Sequence, residues 1–137
     1  TEDSAVVNIR FASGALASMA ISDATASPWN WEATAREDPQ YRPFEADAYF
    51  IGGTKGALSL PRLHKFSYEG APSWHKKLTM EVPPVDPALP HKMQLKHFVR
   101  VIRREADPIV TPGDNVKTLR VLMAIKQAAE TGQPVTL

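Results

Sequence analysis

An α+β fold is what this sequence predicts: a mainly antiparallel open sheet with two C-terminal helices covering one of its faces. Three observations carry the expectation. Short strand-like stretches, the first two plainly alternating, recur through the first two thirds of the chain, two connections between them are short and end in glycine, and the last third changes to a helical period. Strands first and helices last is the order that builds an antiparallel sheet with helices on one side. With 137 residues, the chain is expected to form a single α+β domain, residues 1–137.

Taken in order, Ala5 to Phe11 alternates, with Val7, Ile9 and Phe11 on one face and Val6, Asn8 and Arg10 on the other. Ala12, Ser13 and Gly14 make a hairpin connection, and Ala15 to Ile21 returns with Ala17, Met19 and Ile21 opposed to Leu16, Ser18 and Ala20. Ala48 to Ile51 and Ala57 to Leu60 flank Gly52, Gly53, Thr54, Lys55 and Gly56, whose glycines are expected to supply the positive φ of a tight turn. Lys65 to Tyr68 and Leu78 to Val82 are shorter strands. Pro83, Pro84, Pro87 and Pro90 exclude a central strand or helix interior and mark an extended connection.

The last third encodes two amphipathic helices. Leu95, Phe98, Val99 and Ile102 fall at i, i+3, i+4 and i+7, one face to be buried, and this helix is expected to end at Asp107 before Pro108. The second opens with Thr111 as N-cap, Pro112 at the first helical position and Asp114 completing a variant of the capping box. Gly132 and Pro134 stop it. Thr118, Val121, Leu122, Ile125, Ala128 and Ala129 share one face; Lys117, Arg120, Gln127 and Glu130 take the other.

Composition excludes several function classes. A net charge of +1 gives no basic field for nucleic acid or an anionic membrane, and no apolar run approaches the roughly 18 residues of a bilayer span. Absence of cysteine removes disulfides and thiolate metal sites and fits a cytoplasmic protein. No signal peptide is visible, and Thr1 falls in a polar lead-in to a strand, so the chain reads as a piece of a longer protein.

The obvious constellations have plainer explanations. Gly52 to Gly56 with Lys55 lacks the spacing of a phosphate-binding loop and reads as a hairpin turn. His64, His75, His91 and His97 include no i, i+4 pair, so no metal is expected. No G-x-S-x-G elbow marks a hydrolase. Trp29, Trp31 and Tyr41 could stack bases, but Glu32, Glu37, Asp38, Glu45 and Asp47 around them repel phosphate. The loop from Asp23 to Asp47, about 25 residues, is long enough to be functional. Its tryptophans either fold back as a plug over the sheet or reach toward a substrate.

The run from His97 through PIVTPGDNVKTLRVLMAIKQAAETGQPVTL resembles the C-terminal end of the Gfo/Idh/MocA family of NAD(P)-dependent sugar and cyclitol oxidoreductases. EDSAVVNIRFASGALASMAIS and YFIGGTKGALSL are similar to that family's sheet domain. The resemblance covers almost the whole chain but only the family's second domain. It implies a parent enzyme that moves hydride between NAD or NADP and a small polyol or sugar. It also implies that the loop after the second strand and the start of the first long helix, here near His91, contribute to the substrate pocket. The substrate-binding candidates are therefore Trp29, Trp31, Glu32, Arg36, Glu37 and His91.

Family members place a G-x-G-x-x-G unit and a Lys-Pro pair in a Rossmann domain, and an Asp-x-x-x-His motif near the start of the second domain. None occurs here, so this chain by itself is expected to hold no cofactor and no catalytic residue. The family also commonly dimerises or tetramerises through its sheets. A homo-oligomer through the open sheet face, exposing either Val6 and Leu16 or Val7, Ile9, Met19 and Ile21, is expected accordingly. The competing reading is a non-catalytic sheet scaffold that assembles or binds a protein partner.

Overall fold

A computed structural model describes residues 3–85 and 88–137. In chain order the elements are β1 (Ser4–Arg10), β2 (Leu16–Ser22), α1 (Trp31–Thr34), β3 (Tyr49–Gly53), β4 (Gly56–Leu60), β5 (His64–Ser67), β6 (Thr79–Glu81), α2 (Pro90–Ile102) and α3 (Pro112–Thr131). Every strand expected from the sequence is present, all pairing is antiparallel, and the two long helices come last, as in an α+β fold. The strands form two sheets, one of β1 and β2 and one ordered β3-β4-β5-β6. Each ladder joins neighbours in sequence, so the segment from Asp23 to Asp47 separates two runs of hairpins. The chain divides into two compact units, Thr1–Thr25 with His97–Leu137, and Ala26–Lys96.

In the first unit β1 and β2 pair with Val7 opposite Met19 and Ile9 opposite Ala17. The Gly14 N–H donates to the Phe11 carbonyl at 2.9 Å and the Phe11 N–H to the Ala15 carbonyl at 2.9 Å, with Gly14 at φ 87°. That is a three-residue connection with a glycine bulge, whose twist matches the flanking strands. Val7 is buried and Ile9 and Ala17 are half-buried, which assigns this face inward. The opposite face leaves Val6 and Leu16 exposed among Asn8, Arg10 and Ser18.

The start of α3 follows the sequence closely. The Thr111 hydroxyl oxygen accepts from the Asp114 N–H at 3.2 Å, and the Asp114 carboxylate accepts from the Thr111 N–H at 3.1 Å. At its other end Gly132, at φ 65°, donates its N–H to the Ala128 carbonyl at 2.9 Å. A left-handed stop of this kind has little cost only for a residue without Cβ. Val121, Ala124, Ile125 and Ala128 are half-buried along one stripe.

Helix α2 departs from expectation twice. It ends at Ile102, not Asp107, because Arg104 takes a left-handed conformation at φ 59°. The Glu105 N–H then reaches the Arg100 carbonyl and the Arg104 N–H the Val101 carbonyl, the two bonds of a Schellman stop. Pro108 is therefore not what stops the helix. The stripe Leu95, Phe98, Val99 and Ile102, expected to be buried, is exposed. No residue of either long helix is buried.

In the second unit, β3 and β4 are joined by Thr54 and Lys55 alone, with Gly53 opposite Gly56. The hairpin is as expected, but its glycines are not there for positive φ: none of Gly52, Gly53 and Gly56 lies in the left-handed region. Gly56 serves close approach instead. A Cβ there would stand 2.3 Å from the Phe66 carbonyl oxygen on β5.

Candidate functional site

The 23–47 segment contains one helical turn, α1, and its two tryptophans differ: Trp31 folds back toward β3 and Trp29 stays exposed. Asn30 caps α1, its side-chain oxygen accepting from the Ala33 N–H at 2.7 Å, and the Thr34 hydroxyl donates to the Asn30 carbonyl at 2.6 Å. Arg36, at φ 59°, turns the chain out of this single helical turn and pairs with Glu45. The Phe44 N–H donates to the Ala33 carbonyl at 2.7 Å, tying the returning limb to α1. Trp31 is half-buried: its ring lies 5.8 Å from Tyr49 at a tilt of 55°, and its Nε1–H donates to Glu37 Oε2 at 2.7 Å.

These contacts fix the wall of a concavity of about 120 Å³ lined by Trp31, Glu32, Ala35, Glu37, Asp38, Pro90 and His91. Four of the six residues expected at a substrate site, Trp31, Glu32, Glu37 and His91, are thus brought together. The other two are not. Trp29 is 70% exposed and lines no part of it, and Arg36 is committed to Glu45. Sequence reasoning missed Ala35, Asp38 and Pro90, which come from the same two segments as the residues it found.

The lining has an apolar indole, carboxylates that only accept hydrogen bonds and an imidazole that can do either. Among the described residues that line it there is no lysine or arginine. Such a surface can hold the C–H face of a ring or chain on the indole while its hydroxyls donate to Glu32, Glu37 or Asp38. An anionic ligand finds no counter-charge. The volume is well below the roughly 300–1,000 Å³ of complete ligand sites.

A second polar cluster sits at the end of the same segment, and nothing in the spacing of its members reveals it. Asp47 is buried at 4% exposure and accepts from the Ser59 hydroxyl at 2.8 Å, the Arg62 backbone N–H at 3.0 Å, Nε at 3.2 Å and Nη2 at 2.9 Å. His64 Nδ1 lies 3.8 Å away. Burial by itself would raise the Asp47 carboxyl. The hydrogen bonds from Arg62 and Ser59, with the guanidinium charge, outweigh it and bring the pKa down to about 2. This carboxylate is a latch: it fixes the entry to β3, two residues before the Tyr49 ring that supports Trp31.

Among the described residues, neither the glycine turn at 52–56 nor the start of α3 fits the pyrophosphate of a nicotinamide dinucleotide. The glycine turn at 52–56 joins two antiparallel strands, whereas a pyrophosphate cradle joins a strand to a helix N-terminus. The N-terminus of α3 is closed by the Thr111–Asp114 capping box, whose carboxylate would repel phosphate.

No curated relative and no solved structure matches the chain significantly. Over residues 1–137 it matches the family described as the oxidoreductase family, C-terminal alpha/beta domain. Antiparallel hairpins leading into two C-terminal helices agree with that description, and the chain belongs to the Gfo/Idh/MocA oxidoreductase family as its C-terminal domain.

Proposed function

We propose that this chain is the substrate-side domain of a cytoplasmic NAD(P)-dependent dehydrogenase that oxidises a CH–OH group of a sugar- or cyclitol-like alcohol. The dinucleotide belongs to a separate Rossmann domain, and this domain contributes part of the substrate wall and an assembly surface. The observation that carries the reading is the convergence of Trp31, Glu32, Glu37 and His91 on one concavity. Carboxylate acceptors beside an indole suit a neutral polyhydroxylated ligand. Its small volume suits a site completed by another domain.

The test is NAD(P)-linked oxidation of a panel of neutral polyols by this chain joined to its cofactor domain. Glu37→Gln should raise KM about tenfold, the scale of one charge-assisted hydrogen bond, with a smaller change in kcat. Unchanged kinetics in both Glu37→Gln and His91→Ala would refute the assignment. Absence of dinucleotide-linked turnover on every polyol would instead favour the non-catalytic scaffold.

A further inference from the structure

We infer that Tyr49, which lines no part of the concavity, is a positioning residue for it: its ring and the Glu37 carboxylate together set the plane in which the Trp31 indole faces a ligand. This inference rests on the reading of the concavity as a substrate wall. Trp31 needs such support because its own element is weak. It is the first residue of α1, a helix of four residues, and a single turn has too few hydrogen bonds to be stable by itself. The Asn30 cap, the Thr34 hydroxyl and the bond from the Phe44 N–H to the Ala33 carbonyl hold the backbone of that turn. They leave the side-chain torsions of Trp31 free. Two contacts remove that freedom. At the edge of the indole, Nε1–H donates to Glu37 Oε2 at 2.7 Å, a short bond to a charged acceptor. The Tyr49 ring lies 5.8 Å from the indole at a tilt of 55°, inside the roughly 4.5–7 Å range in which aromatic pairs attract. The edge bond alone permits the indole to swing about Nε1, and the tyrosine ring fixes the swing.

Tyr49 is suited to this task because the sheet, not the loop, holds it in place. It begins β3 and pairs with Leu60 of β4. Beside it the Ala48 N–H donates to the Leu60 carbonyl at 2.7 Å, and Asp47 accepts from Ser59 and from the Arg62 N–H. All of these residues belong to the Ala26–Lys96 unit. Orientation therefore passes from the strand pair through Tyr49 to Trp31, and from Trp31 to whatever rests on its ring.

The arrangement also divides the work of Glu37. The indole takes Oε2, which leaves Oε1 to accept from a ligand hydroxyl. Because Trp31 and Glu37 are bonded to each other, an indole that swings loosens the acceptor with it. Removing the Tyr49 ring should thus weaken binding although Tyr49 touches no ligand, since a wall that is ordered beforehand spends less of the binding energy on ordering itself.

The test uses the chain joined to its cofactor domain, isotope-labelled at the tryptophan Nε1 positions, with Trp31→Phe identifying the Trp31 indole resonance. Tyr49→Thr removes the ring but keeps a β-branched strand residue. Tyr49 is 54% exposed, so no core contact is lost, and far-UV circular dichroism checks the fold. In Tyr49→Thr, exchange of the Trp31 Nε1–H with water should quicken about two- to tenfold, the factor that one aromatic pair contributes. KM for neutral polyols should rise by a similar factor with kcat nearly unchanged. Tyr49→Phe, which keeps the ring, should match the parent in both measurements. Should Tyr49→Thr not fold, Tyr49→Leu is measured in the same way. An indole proton equally protected in Tyr49→Thr and parent, or a Tyr49→Phe chain that behaves like Tyr49→Thr, would overturn the inference whatever the substrate is. An unchanged KM in Tyr49→Thr while Glu37→Gln raises it would overturn the inference and leave the substrate reading standing. Unchanged KM in Tyr49→Thr, Glu37→Gln and His91→Ala alike would refute the substrate reading and the positioning role with it.

Discussion

Replacing Asp47 with asparagine should cost stability at neutral pH and nothing in strong acid. The buried carboxylate takes hydrogen bonds from Ser59 and from three Arg62 nitrogens, and its pKa falls from 3.8 to about 2. At 1.36 kcal/mol per pKa unit the drop corresponds to about 2 kcal/mol. The Arg62 side chain is 38% exposed, so solvent screening lowers this to about 1–2 kcal/mol. Because the folded carboxyl has the lower pKa, the unfolded chain binds its proton first on acidification. The stabilisation is therefore complete above about pH 4 and lost as pH falls through about 2. Urea unfolding of parent and Asp47→Asn chains, followed by tryptophan fluorescence at several pH values from 6 to 2, reads the difference directly. A gap between the two that stays constant over this range, or widens in acid, would refute the latch.

Three further outcomes rest on backbone geometry. Gly56→Ala should destabilise the second unit by about 1–3 kcal/mol, since its Cβ would meet the Phe66 carbonyl at 2.3 Å; chemical denaturation that matches the parent would remove the close approach as the reason for glycine. Thr111→Ala should cost about 1 kcal/mol by leaving α3 without its cap, visible as reduced ellipticity at 222 nm on heating. Arg104→Gly should stabilise α2 by about 0.5–1 kcal/mol, because glycine occupies the left-handed stop without steric strain; a lower melting temperature would contradict the Schellman assignment.

Local chemistry was legible in the sequence wherever it was decided by neighbours. Alternation located β1 and β2, the glycine turn at 52–56 located β3 and β4, and Thr111, Pro112, Asp114 and Gly132 delimited α3. The positions of Trp31, Glu32, Glu37 and His91 near a shared wall followed from the family resemblance and were not deducible from spacing. Tertiary structure decided the rest, for physical reasons that spacing does not encode. Arg104 stops α2 by adopting a conformation that sequence statistics assign to glycine, and Gly56 is required by a carbonyl ten residues further along the chain. Asp47, Ser59, Arg62 and His64 meet only because β4 and β5 fold back beside the start of β3. Hydrophobic patterning specified which side of α2 is apolar, but burial depends on what lies against it, and there Leu95, Phe98, Val99 and Ile102 remain exposed. Periodicity determines a face; only packing in three dimensions determines whether that face is covered.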